Sequence, residues 1–189
     1  MTDSRGRKDS EYEKRDAKRD WAKLRKLWHQ IKNGQIKDRK PGKALEYLVV
    51  QAFALSGLEV DYPYDVPPRG MKLEQIDGIV YLESLAFLLE CKDRNDPENI
   101  VSFAKLRNQL LRRPDTVLGC LFVSNEFTEA ALTLADYSVP PRILFWSGTD
   151  IDKAIEKCDF AGLLRDKYRN LCKYGLTDHS PNYRSLEVR

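Results

Sequence analysis

The sequence predicts a mixed α/β domain, a central sheet flanked by helices, with an additional helix at the N-terminus. Three observations lead there. Short runs rich in Val, Ile, Leu, Phe and Tyr recur at 58–61, 76–82, 85–91, 117–124 and 142–146 and read as strands. Segments with helical spacing lie before, between and after them, in the order α-α-β-β-β-α-β-α-β-α-α. Two of the strand runs are separated only by Glu83-Ser84, so they form a hairpin.

The elements follow in chain order. Residues 11–32 lack Gly and Pro and are rich in Lys, Arg, Glu, Asp and Ala, which predicts a helix. Trp21, Leu24, Trp28 and Ile31 give it one apolar stripe, and Asn33-Gly34 ends it. Residues 43–56 form a second, largely apolar helix between Pro41-Gly42 and Gly57, with Glu46 alone among Leu45, Leu48, Val49 and Phe53. A short strand at 58–61 leads into a loop over 62–70 with three prolines. After the hairpin, the polar stretch 93–98 precedes a helix over 99–112, and 117–124 is a buried strand. Thr128 is the N-cap of a helix to 137. A strand at 142–146 and helices at 149–157 and 161–174 complete the domain, and the tail after Gly175 is expected to be loosely held. The expected organisation is a basic helical arm over 1–40, a catalytic-type domain over 41–158, and a C-terminal helix and tail over 159–189.

Composition narrows the function classes. The chain has 189 residues, 42 % hydrophobic and 32 % charged, a globular balance. No apolar run approaches the roughly 20 residues of a membrane span, and the charged N-terminus lacks a signal-peptide core. Cys91, Cys120, Cys158 and Cys172 are far apart, and Cys91 and Cys120 lie in apolar runs. A cytoplasmic protein with buried thiols is therefore expected, and a structural zinc site is not. Residues 1–40 carry fourteen Lys/Arg against seven Asp/Glu, while the remainder of the +3 chain is net acidic. That arm has two readings. Its apolar stripe can dock on the body or on a second copy, giving a homodimer through the N-terminal helix, and Lys18, Lys23, Arg25 and Lys26 can track phosphates. Lys105, Arg107 and Gln109, on the helix after the hairpin, offer a second polar and basic face for nucleic acid, with a solvated helix face as the alternative.

The hairpin holds the chemistry. Charges in an apolar strand are costly unless they are paired, hydrogen-bonded or holding a metal. A two- or four-residue loop centred on Glu83-Ser84 puts Leu82 opposite Leu85 and, counting outward, Asp77 opposite Glu90. Opposed residues share a face, with Cβ atoms roughly 4.5–5.5 Å apart, and Lys92 projects from that face two residues on. Two carboxylates and an ammonium so placed suit a hard divalent ion such as Mg²⁺ at a phosphoryl substrate. They also suit a structural Asp/Glu/Lys cluster. Glu46 either reaches the same ion through water or extends to the surface. There is no phosphate loop, nucleophile elbow or HExxH motif.

The helix with Glu46, then Gln75-Ile76-Asp77-Gly78, then Glu90-Cys91-Lys92 resembles the PD-(D/E)XK nuclease superfamily, with Ile76 where the superfamily name has Pro. Gly119-Cys120-Leu121-Phe122-Val123-Ser124, Glu126-Phe127-Thr128-Glu129-Ala130-Ala131 and Arg142-Ile143-Leu144-Phe145-Trp146 resemble its Mrr-like branch of type IV restriction endonucleases. The resemblance implies a restriction-endonuclease-like αβββαβ core and metal-dependent hydrolysis of DNA phosphodiesters. It implies Mg²⁺, with Mn²⁺ as a substitute, held by Asp77, Glu90 and the backbone carbonyl of Cys91. It makes Lys92 the catalytic lysine and Glu46 a supporting acid, and it suggests restriction or defence against foreign DNA, alone or with a partner subunit. The alternative is a catalytically silent nucleic-acid-binding or oligomerisation module on the same fold.

Overall fold

A helix over Trp21–Lys32 (α1) and a second over Lys43–Leu55 (α2) precede the first strand, β1, Glu59–Asp61. The computed structural model describes residues 21–36, 42–66 and 74–178. Lys18, the expected helical residues before Trp21 and most of the C-terminal tail lie outside them.

Five strands build the main sheet: β1, then β4 (Gly78–Leu82), β5 (Leu85–Lys92), β6 (Val117–Val123) and β7 (Ile143–Trp146), side by side in that order. β4 pairs antiparallel with both β1 and β5, whereas β5, β6 and β7 are mutually parallel. Parallel neighbours need crossovers, and these are α3 (Ile100–Leu110) and α4 (Glu129–Asp136). From α2 to β6 the main sheet and its helices thus follow the expected αβββαβ order. α5 (Gly148–Lys157) and α6 (Phe160–Tyr174) follow β7. Two three-residue strands, β2 (Tyr64–Val66) and β3 (Glu74–Ile76), pair antiparallel as a separate ribbon.

Alternation along the strands assigns two layers. Phe87, Leu89 and Cys91 of β5, with Cys120, Phe122, Leu144 and Trp146, join the larger core under α1, α2, α5 and α6. Leu88 of β5, with Leu121, Ile143 and Phe145, packs under α3 and α4. In the larger layer Trp146 stacks on Phe122 at 4.7 Å and on Phe160 at 5.6 Å between ring centroids. Phe53 of α2 meets all three rings edge-on.

The apolar stripe of α1 docks on the body of its own chain: Leu24, Leu27, Trp28 and Ile31 are buried in the larger core. Trp28 Nε1 donates to Asp152 of α5 at 2.6 Å. The stripe that suggested a homodimer is therefore used within the chain, while Lys23, Arg25 and Lys26 remain exposed.

Candidate active site

The hairpin has the expected register. Leu82 pairs with Leu85, Ile79 with Leu88 and Gly78 with Leu89 across β4 and β5, so the two-residue loop is Glu83-Ser84. Glu83 takes a left-handed backbone, φ 57°, to close it. The expected single strand 76–82 is split: Ile76 ends β3, Gly78 starts β4, and Asp77 sits at the break. One step beyond Gly78–Leu89, Asp77 is carried to Glu90, on the face that Leu88 shares with α3.

Two glycines bring helices close enough to complete the site. A Cβ on Gly78 would come within 3.0 Å of Val50 Cγ2 and 3.1 Å of the Asp61 carbonyl oxygen. Its absence lets α2, the helix of Glu46, lie directly on the sheet beside Asp77. A Cβ on Gly119 would fall 2.9 Å from Leu106 Cδ2. Its absence seats α3 at Leu106, and the neighbouring residue, Lys105, reaches β5.

The resulting cluster holds three carboxylates and three ammonium groups. Glu90 is fully buried. Lys92 Nζ lies 2.5 Å from its Oε1, and Lys105 Nζ donates to both oxygens, at 2.7 and 2.6 Å. Asp77 is buried and accepts the backbone N–H of Cys91 on Oδ2 at 2.9 Å. Glu46 is buried near the start of α2 and pairs with Lys43 at 2.5 Å.

The electrostatics show how tightly the acids are crowded. Burial, then repulsion from Glu90, raises the Asp77 pKa against the opposing Cys91 N–H. Burial, then repulsion from Asp77, likewise raises Glu46. Burial works against the Lys92 ammonium, but its hydrogen bond to Glu90 and the charges of Glu90 and Asp77 outweigh it and raise its pKa. The Cys91 thiol is pushed well above its usual range by burial and then by the Asp77 charge, so it stays protonated and offers the site only its backbone.

Asp77, Glu90, Lys92 and Glu46 thus come together as expected. Among the described residues, no group of three or more His, Cys, Asp or Glu side chains is placed to hold a metal ion. A resident ion would have two carboxylates at most, a number that Mg²⁺ accepts because it keeps several waters. The donor chemistry fits: Asp77 and Glu90 offer hard carboxylate oxygens, and burial and the neighbouring Glu90 charge raise the Asp77 pKa, a penalty that a divalent cation relieves.

One correction concerns the helix after the hairpin. Gln109, expected on a face for nucleic acid, is buried, and its Nε2 donates to the Gln75 carbonyl at 3.2 Å, so α3 turns it toward β3. Lys105 keeps a side chain 44 % exposed while its ammonium pairs with Glu90. Arg107 stays exposed. Lys43 and Lys105 are the site residues that the sequence reading did not assign there. Lys43 is three residues before Glu46, a helical ion-pair spacing that is visible in the sequence. Lys105 becomes apparent only once α3 is laid across β5.

No protein-family model matches the chain, and no curated protein matches it. Among solved structures, it is similar to a protein of unknown function, AF1548, at 18 % identity over 53 % of this chain and 56 % of that one, with a TM-score of 0.45. It is also similar to the DNA modification-dependent restriction endonuclease AspBHI, at 14 % identity over 74 % of this chain and 42 % of that one, again with a TM-score of 0.45. The chain thus covers just over half the length of the first and less than half of the second.

Proposed function

We propose that this chain is a divalent-metal-dependent endonuclease that hydrolyses DNA phosphodiester bonds, in restriction or defence against foreign DNA. The observation that carries the reading is the convergence of Asp77, Glu90 and Lys92 at one end of a hairpin, in a register that the flanking pairs fix. In this reading Asp77, Glu90 and the Cys91 carbonyl hold Mg²⁺, or Mn²⁺ in its place. A bound divalent ion supplies a polarised phosphoryl oxygen and a more acidic water.

The chain's own residues do the rest. The Cys91 N–H fixes the Asp77 carboxylate through Oδ2. Lys92, a quarter exposed, presents an ammonium that can donate to a phosphate oxygen as negative charge develops there. The raised pKa of Glu46 suits it to take up a proton at its carboxylate near neutral pH more readily than an ordinary glutamate would. Lys23, Arg25 and Lys26 provide an exposed basic face for the DNA backbone.

One observation favours the silent module. Both Glu90 oxygens are ion-paired to lysines, so the cluster is charge-balanced without a metal. The two readings separate in one assay. Supercoiled plasmid and single-stranded DNA are incubated with Mg²⁺ or Mn²⁺ and wild type, Glu90→Gln or Lys92→Ala. The endonuclease reading expects nicking that both substitutions reduce at least about a hundredfold. Nicking that persists in both variants would refute the assigned site, and no cleavage of any substrate by wild type would favour the binding module.

A further inference from the structure

Glu90 is the most deeply buried acid of the cluster and cannot stand as a bare anion in that position. Two ammonium groups hold it, and they differ in kind. Lys92 comes from the same strand and pairs with Oε1 at 2.5 Å. Lys105 comes from α3, straddles both oxygens, and has a side chain 44 % exposed. It can therefore withdraw into water at little cost, which Lys92, 25 % exposed, does less readily.

We propose that Lys105 is the resident counter-cation of this site: its ammonium occupies the position on Glu90 that a divalent ion takes, and it must withdraw before the ion binds. The inference rests on the reading of Asp77 and Glu90 as metal ligands. Its basis is charge and space. Three ammonium groups already balance the three carboxylates, and a dication would leave two uncompensated positive charges unless one lysine departs. A Mg²⁺ ion sits about 2.0–2.1 Å from a carboxylate oxygen, and an ammonium straddling that same carboxylate at 2.6–2.7 Å obstructs it. Metal affinity is then set by competition with an internal lysine, and the released side chain is free at the mouth of the site.

Mn²⁺ binding to the full chain, followed by the paramagnetic resonance of the free ion, tests this in wild type, Lys105→Gln, Lys105→Arg and Asp77→Asn. Loss of the competing charge should tighten Mn²⁺ binding about tenfold or more in Lys105→Gln, with Lys105→Arg no tighter than wild type. A second measurement needs no variant. Amine-reactive labelling read by mass spectrometry should show Lys105 of the wild type severalfold more reactive with Mn²⁺ than without. Equal or weaker binding by Lys105→Gln, with binding abolished in Asp77→Asn, would overturn the competition and leave the ligand assignment standing. Binding indifferent to Asp77→Asn, or absent from both wild type and Lys105→Gln, would overturn both. Labelling of Lys105 unchanged by Mn²⁺ would also count against withdrawal.

Discussion

Replacing Lys167 with Met should cost the domain about 3–5 kcal/mol, the usual penalty for orphaning one partner of a buried ion pair. Lys167 of α6 is completely buried, and its Nζ lies 2.8 Å from Asp150 Oδ2 and 5.5 Å above the Trp146 ring. Asp150 in turn belongs to the capping box that opens α5: the Ser147 N–H donates to it at 3.2 Å, and its own N–H donates to Ser147 Oγ at 3.3 Å. Its Oδ1 has no hydrogen-bond partner among the described residues. Met fills the volume of the lysine stem, so a cavity contributes little and the lost charge dominates. Burial holds the Lys167 pKa below its ordinary value even with Asp150 opposing it. In a domain of this length the loss corresponds to a fall in Tm of about 6–20 °C. Thermal and urea denaturation of Lys167→Met, Asp150→Ala and the double variant would measure it. The double variant should recover about 2 kcal/mol or more relative to the sum of the singles, because no orphaned charge remains. A cost below about 1 kcal/mol for Lys167→Met, or simple additivity in the cycle, would refute the reasoning.

Two further outcomes concern the candidate site and the basic face. Asp77 and Glu46 have folded-state pKa values above their ordinary 3.8 and 4.5, so the native state retains their protons longer than the unfolded chain does. Without metal, they should destabilise the fold increasingly as pH rises from those ordinary values through the raised ones. The stability of Asp77→Asn relative to wild type should therefore grow across that window and level off above it. A difference that does not change with pH would contradict the burial and repulsion assigned to Asp77. For the basic face, converting Lys23, Arg25 and Lys26 to Ala should lower the slope of log K against log salt for duplex DNA by about 2–3. An unchanged slope would place phosphate contacts elsewhere.

What the sequence made legible follows the range of each interaction. The hairpin register, the Thr128 cap and the helix after Pro41-Gly42 depend on neighbours in the chain, and they emerge as read. The β2–β3 ribbon was expected to be a loop on its first side. Three-residue strands pairing Tyr64 with Ile76 leave no alternation to detect, and three nearby prolines argue against a strand. Asp77, Glu90 and Lys92 were recoverable because one hairpin carries all three. Gln109 was misplaced, and the pairing of Lys105 with Glu90 went unseen, because their surroundings depend on how α3 is rotated against the sheet. Four residues apart on that helix, one reaches Glu90 and the other Gln75, and nothing in the local sequence distinguishes them from a solvated face.

The seating of α1 has a practical consequence for dissecting this protein. Trp21 stacks on Phe160 at 6.2 Å, and Trp28 is tethered to α5 through Asp152. The helix read as a basic arm is one wall of the larger core, continuous with the rings around Trp146. A deletion ending in the segment between α1 and α2 would strip that wall away, and any loss of DNA binding would then follow from exposed interior rather than missing phosphate contacts. Charge substitutions on the outer face of α1 leave the wall in place. They, and not shortened chains, can say what that helix does besides closing the fold.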